Sequence, residues 1–177
     1  TGGRGSGNPA VVTAFGLIRA MKGALLFKEM GNQIKGRTVL VLGIGSVGFA
    51  LCNYLIRRKV GKLMISDTDE LKIKRALESF YIPSNNVVDP ERAFDVECDI
   101  FSPCATPRGI LNEKTIPRLK CKIICGATNN QLENSERDGQ AIFDRGIVYA
   151  PDYAANSGGV INILDELHPD GRGDGAA

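Results

Sequence analysis

Three glycines and one aspartate have a spacing that suits a defined kind of chemistry. Gly43-x-Gly45-x-x-Gly48 follows an apolar run, and Asp67 comes 19 positions after Gly48, at the end of a second apolar run. Such glycines permit a tight turn, a close approach of the backbone to a pyrophosphate and close packing of a helix on a strand. The amides that begin the helix near Ser46 would face the phosphates with the positive end of the helix dipole. The pattern therefore predicts a dinucleotide site.

The carboxylate indicates which dinucleotide the site would hold. Asp67 would accept hydrogen bonds from the adenosine ribose hydroxyls and would repel a 2′-phosphate, so NAD is expected rather than NADP. The simpler alternative is a glycine-rich turn in an α/β domain that binds no ligand. The dinucleotide site is favoured because all of its parts occur in the right order within one βαβ unit.

Helical and strand patterns alternate along the chain. Right-handed crossovers between such elements would build a doubly wound, Rossmann-type α/β fold, a mostly parallel sheet with helices on both faces. One domain is predicted over residues 1–167, followed by a flexible Gly/Pro-rich tail over 168–177. Helices are predicted over 9–31, 46–59, 69–81, 112–119, 138–145 and 156–167, and strands over 37–42, 62–66, 86–89, 99–102, 122–125 and 146–149.

Composition argues against several classes of function. The formal net charge is +2 and the basic residues are scattered, which does not favour a nucleic-acid partner. No apolar run reaches the ~18 residues of a membrane span, so no membrane partner is expected. The first ten residues lack the apolar core of a signal peptide. These features predict a cytoplasmic protein.

The five cysteines form no Cys-x-x-Cys pair. An odd count without that spacing favours small buried hydrophobic residues in a reducing compartment over a metal or redox role. The chain has one histidine, so a zinc site would need mostly thiolates, and their spacing does not provide it. No metal is expected. The cysteines are Cys52, Cys98, Cys104, Cys121 and Cys125.

Small and polar residues follow three of the predicted strands, in segments 103–105, 126–131 and 149–159. Ligands of parallel sheets bind beyond the carboxyl ends of the strands, where backbone and amide groups can approach them. Asn129 and Asn156 lie in these segments, and buried amides cost free energy unless they are hydrogen-bonded. A ligand-facing position explains them better than a core position, with an ordinary turn as the alternative.

Four segments, together with the glycine motif, resemble one family. They are 6–16 (SGNPAVVTAFG), 97–105 (ECDIFSPCA), 126–132 (GATNNQL) and 149–162 (YAPDYAANSGGVIN). In this order they look like the cofactor domain of the leucine, phenylalanine and valine dehydrogenases, with the glutamate dehydrogenases as more distant members. The likeness extends over about residues 5–167, nearly the whole chain.

The resemblance implies roles for individual residues. Thr13 and Asn156 would orient the nicotinamide carboxamide, and Asn156 would also reach the substrate. Val160 and Ile163 would wall the pocket for the amino-acid side chain, and branched aliphatic residues there suit an apolar, branched-chain substrate. The other cofactor contacts would come from Gly43, Gly45, Ser46, Val47 and Gly48 at the pyrophosphate, Asp67 at the adenosine ribose, and Cys104, Ala105, Ala127, Thr128 and Asn129 along the groove.

The implied reaction is NAD-dependent oxidative deamination of an L-amino acid to its 2-oxo acid and ammonia, in an intact enzyme expected to be a homo-oligomer. In this family the lysines and the aspartate that bind and deprotonate the substrate lie in a separate N-terminal domain, and no region here resembles it. No catalytic residue is therefore expected in this chain, which would be inactive alone. Lys35, Lys114 and His168 are expected to be ordinary surface residues.

Two alternatives remain open. A non-catalytic NAD-binding or interaction module derived from this family would account for the missing catalytic residues. Another Rossmann enzyme, such as a relative of glutamyl-tRNA reductase or of shikimate dehydrogenase, would explain the glycine motif. It would not explain the segments 126–132 and 149–162.

Overall fold

The computed structural model describes residues 8–105 and 108–155, and strands and helices alternate within them. The α-helices are α1 (Pro9–Phe27), α2 (Ser46–Arg57), α3 (Glu70–Phe80), α4 (Ser135–Asp144) and α5 (Asp152–Ala155). The strands are β1 (Thr38–Leu42), β2 (Lys62–Ser66), β3 (Glu97–Pro103), β4 (Lys120–Ile124) and β5 (Val148–Tyr149). Three short 3-10 helices span Ser84–Asn86, Pro90–Asp95 and Ile116–Arg118.

All five strands are parallel and lie in the order β2-β1-β3-β4-β5. The order reverses beside β1, so the chain builds outward in both directions from the first strand, as a doubly wound sheet requires. In the central register Val41 of β1 pairs with Ile65 on one side and with Ser102 on the other. The predicted α/β fold is confirmed.

Side chains of β1 alternate between two cores, one on each face of the sheet. Val39 and Val41 belong to the core that α1, α2 and α3 cover. Leu40 and Leu42 belong to the core that α4 covers together with the 3-10 helices at 90–95 and 116–118. Both faces are buried, which explains why β1 reads as a continuous apolar run.

The strand predicted over 86–89 is wrong. Only Val87 pairs with the sheet, through a single parallel bridge to Ile65 on the outer side of β2. Extended chain ends there because the carboxylate of Asp89 accepts a hydrogen bond from the Glu91 amide (2.8 Å) and Pro90 occupies the first position of a 3-10 helix. Proline with an aspartate cap favours a helical turn over a strand.

The helix predicted over 112–119 is reduced to the turn at 116–118. The side chain of Asn112 accepts hydrogen bonds from the amides of Lys114 (3.0 Å) and Thr115 (3.2 Å), which favours a local turn over a helix. In contrast, α4 begins three residues before its predicted start because Asn134 caps it. The predicted helix 156–167 and tail 168–177 lie outside the described residues.

One helix of the described chain, α1, is long and apolar enough by length and composition alone to cross a membrane. The sequence analysis expected no segment of that length. It did not count α1 as one apolar run because Arg19 and Lys22 interrupt the apolar residues of this helix. In the fold Leu17, Met21 and Leu25 of this helix are buried in the core. The core of the domain therefore accounts for the buried part of its apolar surface, whereas Leu26 and Phe27 are exposed.

A buried carboxylate holds the start of α4. Asp138 is 1% exposed and accepts hydrogen bonds from the Asn134 amide (2.7 Å) and from Arg137 Nε (2.8 Å). Burial opposes the charged form, but the Arg137 guanidinium and the Asn134 amide outweigh it, so the pKa of Asp138 lies below its usual value. The folded state therefore binds this proton more weakly than the unfolded chain does.

We expect Asp138→Ala to lower the free energy of unfolding by about 2–3 kcal/mol at pH 7, because it leaves the Asn134 amide without its acceptor. The stabilisation by Asp138 is present above the ordinary carboxyl pKa and is lost as the pH falls through the lowered folded pKa. The difference between the two proteins should thus shrink below about pH 4 in urea denaturation. Asp144→Ala at the exposed end of the same helix is the control, with a change within about 0.5 kcal/mol.

Candidate functional site

The three glycines of the loop between β1 and α2 have different structural surroundings. Gly43 has φ +98°, and a Cβ atom there would lie 2.6 Å from the backbone nitrogen of Ala105. A Cβ atom on Gly48 would lie 2.0 Å from the carbonyl oxygen of Gly43. A Cβ atom on Gly45 would have no protein atom within 4 Å. The fold itself therefore requires glycine at Gly43 and Gly48, whereas Gly45 leaves open space above the loop.

The helix that follows has no side chain capping its first turn. Gly45 is the N-cap residue of α2, in extended conformation, and no acidic residue lies in the first turn. The first amides of a helix lack acceptors within the helix, so these, among them Ser46 and Val47, are available to an anion. The open space at Gly45 and the uncapped start of α2 therefore suit the close approach of an anion such as a pyrophosphate.

The carboxylate of Asp67 joins the end of β2 to the glycine loop. Its Oδ2 accepts a hydrogen bond from the Ile44 amide (2.6 Å), and its Oδ1 accepts one from the Asp69 amide (2.9 Å). A carboxylate offers about four lone-pair sites, so acceptor capacity remains for ribose hydroxyls. Asp67 therefore orders the loop as well as standing beside the space that a nucleotide would fill.

A cavity of about 460 Å³ opens at this edge of the sheet. That volume is within the range of small-molecule sites. Five of the predicted cofactor residues line it, namely Gly43, Gly45, Asp67, Cys104 and Ala105. The sequence analysis missed the other six, which are Leu42, Thr68, Lys72, Pro90, Phe94 and Ile110.

Four of the missed residues, Lys72, Pro90, Phe94 and Ile110, come from segments that had no assigned role in the site. Phe94 and Pro90 reach the cavity from the 3-10 helix at 90–95, and Phe94 packs on Phe101 of β3 with ring centroids 5.5 Å apart. The Asp89-Pro90 pair was a usable signal for this segment, since an aspartate followed by proline marks the start of a helical turn. Lys72 lies in the first turn of α3, where sequence alone gives no direction for its side chain.

The loops after β3 and β4 are joined at the same edge. Thr128 Oγ1 donates to the Ala105 carbonyl (2.5 Å), and the Thr128 amide donates to the Pro103 carbonyl (3.0 Å). A Cβ atom on Gly126 would lie 2.1 Å from that same Pro103 oxygen, so the two loops approach closely. Thr128, which lies between Ala127 and Asn129 in the sequence, is thereby held beside Ala105.

Gln131 supports this second loop from within the protein. The residue is 0% exposed, and its Nε2 donates to the Gly126 carbonyl (2.9 Å). Its Oε1 has no hydrogen-bond partner in the described part of the chain. Because a buried amide without partners is costly, the single bond to Gly126 helps to fix the backbone that precedes Thr128.

The structure describes seven further predicted cofactor residues that do not line this cavity, namely Thr13, Ser46, Val47, Gly48, Ala127, Thr128 and Asn129. Thr13 lies half-buried in α1. Lys35 precedes β1 and bridges to Val60, which places it at the opposite edge of the parallel sheet, and Lys114 is exposed in the turn before β4. The residues Asn156, Val160, Ile163 and His168 lie outside the described residues.

The cysteines are free thiols, four of them buried and Cys104 half-buried. Burial raises the pKa of Cys121 and Cys125 to about 12, and it also raises that of Cys104, so these thiols are protonated at neutral pH. Within 8–105 and 108–155, no group of three or more His, Cys, Asp or Glu side chains is placed to hold a metal ion. The burial of the cysteines agrees with their interpretation as small hydrophobic residues.

The fold and this edge of the sheet define a doubly wound α/β domain of the Rossmann type, with its candidate site at the carboxyl ends of β1, β2 and β3. The Glutamate/Leucine/Phenylalanine/Valine dehydrogenase family matches residues 2–168 of the sequence. The chain belongs to that family.

Individual relatives agree with this assignment. Leucine dehydrogenase from Thermoactinomyces intermedius is 45% identical over 162 residues, which are 92% of this chain and 43% of that protein. The crystal structure of L-tryptophan dehydrogenase from Nostoc punctiforme has a TM-score of 0.85 at 40% identity, over 92% of this chain and 48% of that chain. A glutamate dehydrogenase from Thermus thermophilus shares the fold alone, with a TM-score of 0.70 at 18% identity over 92% of this chain and 41% of that chain. The chain spans less than half the length of these relatives.

Proposed function

We propose that this domain binds NAD, with the glycine loop at the pyrophosphate and Asp67 at the adenosine ribose. The observation that carries the proposal is the open space at Gly45 beside the uncapped start of α2. Asp67 and Phe94 both line the cavity next to it. A positive helix end for phosphates, an acceptor for ribose and an apolar wall for a base are the features that an adenine dinucleotide needs.

For the intact enzyme we propose oxidative deamination of an apolar L-amino acid to its 2-oxo acid and ammonia. The support is membership of the family and the relatives named as leucine, tryptophan and phenylalanine dehydrogenases. Bound NAD would supply the hydride acceptor of this reaction. The Thr128 and Ala105 loops would position the nicotinamide half, and closure of the cleft would exclude water.

Other parts of the proposal rest on the resemblance. Thr13 and Asn156 would orient the carboxamide, and Val160 and Ile163 would contact the substrate side chain. General-base chemistry would come from outside this domain, as the resemblance implies, and Lys35 and Lys114 do not line the cavity. A homo-oligomeric enzyme and a cytoplasmic location complete the proposal, and the free buried thiols agree with a reducing compartment.

The test is a titration of the purified chain with NADH and with NADPH. We expect tighter binding of NADH, and we expect Asp67→Ala to weaken it by about 10- to 100-fold, because hydrogen bonds to a charged acceptor are lost. Asp144→Ala, an exposed carboxylate on α4, is the matched control and should bind as the unaltered chain does. Unchanged NADH affinity in a folded Asp67→Ala variant would contradict the ribose assignment.

The same samples distinguish a cofactor domain from a complete catalyst. Assayed with NAD+ and leucine, valine or phenylalanine, the chain should show no turnover although it binds NADH. Turnover would show that a general base lies within these 177 residues, against the proposal. A folded chain that binds neither nucleotide would favour a turn without ligand, and circular dichroism would establish that it is folded.

A further inference from the structure

Lys72 lies where the candidate nucleotide cavity meets a second, basic groove. It lines the cavity together with Asp67. It also lines a groove of about 880 Å³ between α2 and α3, together with Arg57 and Arg75. Within the described residues, Lys72 is the only cationic side chain on the wall of the nucleotide cavity.

The groups around Lys72 leave its ammonium available at the rim. Its Nζ lies 3.2 Å from Asp69 Oδ2, and both side chains are close to half exposed. Hydrogen bonds from Lys72 hold the pKa of Asp69 below its usual value, so this carboxylate is charged. An exposed pair of this kind is weak and salt-dependent, so the lysine can exchange Asp69 for a stronger anion.

The start of α3 cannot serve that anion through its backbone. Asp69 Oδ1 already accepts hydrogen bonds from the amides of Leu71 (3.0 Å) and Lys72 (3.3 Å). The Asp69 amide in turn donates to Asp67. Positive charge at this rim therefore comes from the Lys72 side chain, with Arg75 further along the groove, where its guanidinium lies 4.2 Å from the centre of the Phe49 ring.

We propose that Lys72 forms a latent site for the 2′-phosphate of NADP, which the Asp67 carboxylate keeps closed. The inference rests on the proposed function, because it takes the ribose of an adenine dinucleotide to lie at Asp67. The 2′-hydroxyl is then the group that Asp67 binds, and a phosphate in its place would meet the Asp67 carboxylate and the Lys72 ammonium at once. Repulsion between the Asp67 carboxylate and the phosphate decides the preference for NAD. Removal of that carboxylate leaves the Lys72 ammonium, which suits a phosphate.

The experiment compares NADH and NADPH titrations across four folded proteins. These are the unaltered chain, Asp67→Ser, Asp67→Ser with Lys72→Met, and Asp67→Ser with Lys74→Met. Lys74 is an exposed lysine on the same helix that lines neither cavity nor groove. We expect Asp67→Ser to bind NADPH about tenfold more tightly than the unaltered chain does. Lys72→Met should remove that gain and Lys74→Met should keep it.

A second measurement does not depend on Asp67→Ser, which removes a residue that orders the glycine loop. In the otherwise unaltered chain, Lys72→Met should widen the preference for NADH over NADPH by about tenfold, since it leaves Asp67 unopposed. The ratio of the affinities for AMP and adenosine 2′,5′-bisphosphate should change by the same factor. Such a result would place the effect at the ribose, because these two compounds differ only in the 2′-phosphate. The effect should decrease as salt is raised.

The outcomes separate the two proposals. If a folded, unaltered chain binds no NADH, the proposed function fails and this inference fails with it. If it binds NADH but Lys72→Met leaves the NADH to NADPH ratio unchanged, only the role of Lys72 is overturned. A folded Asp67→Ser variant whose gain in NADPH binding survives Lys72→Met would overturn it as well.

Discussion

A Gly45→Val variant should keep its fold and lose measurable binding of NADH. A Cβ atom at this position meets no protein atom within 4 Å, and the backbone is extended, with φ −70° and ψ −166°, which valine adopts without strain. The added side chain would occupy the space between the loop and the pyrophosphate. Binding should fall by at least about 100-fold, because steric exclusion at the phosphates prevents the helix amides from reaching them.

The measurement pairs an NADH titration with urea denaturation of the same protein. The free energy of unfolding should change by no more than about 1 kcal/mol, the typical size of an N-cap effect. Gly23→Val is the control, since a Cβ atom there also meets no atom within 4 Å but lies on α1, away from the cavity. Normal NADH affinity in folded Gly45→Val would place the pyrophosphate elsewhere.

A Gly48→Ala variant should have the opposite effect, a large loss of stability. Alanine in place of glycine within a helix normally stabilises by about 1 kcal/mol. Here its Cβ atom would lie 2.0 Å from the carbonyl oxygen of Gly43. The loop that carries this oxygen is itself fixed, because the Gly43 amide donates a hydrogen bond to the Ser66 carbonyl (2.7 Å). Neither side of the contact has a flexible end that can move away, so we expect a loss of about 3 kcal/mol or more.

Urea denaturation of Gly48→Ala beside Gly23→Ala tests this expectation. Both changes add one methyl group to a helix, but only Gly48 faces a backbone oxygen. Gly23→Ala should raise the free energy of unfolding by about 0.5–1 kcal/mol. Equal stabilisation by the two substitutions would show that α2 can move away from β1, contrary to the packing described above.

Much of the fold was predictable because its signals are local. The strand over 62–66 has the predicted bounds, since one apolar run between Gly61 and Asp67 sets both ends. Asn8 caps α1 with Pro9 at its first position, as the dipeptide predicts. The end of α1 came four residues before the predicted stop at Gly31, because residues 28–30 form a turn in which Glu29 has φ +57°.

The misassigned segments show where local signals were weak. Residues 86–89 are apolar enough for a strand, yet only Val87 bridges to Ile65 before Asp89 and Pro90 start a helical turn. Residues 112–119 have helical spacing, yet the side chains of Asn112 and Thr115 bond the local backbone instead. In both segments side-chain hydrogen bonds within a few residues outweighed the apolar pattern.

The sequence by itself determined the order of strands and helices, the glycine motif and the single acidic residue at the end of β2, because each depends on neighbours a few positions away. Tertiary structure alone decided what those residues face. Gly43 must be glycine because Ala105 of another loop lies against it. Gly45 faces open space because no other part of the described chain packs there. Likewise Phe94 and Lys72 became walls of the cavity only when the crossovers brought their segments to the edge of β1. Contacts between residues far apart in the chain follow from the packing of the layers, which no local pattern records.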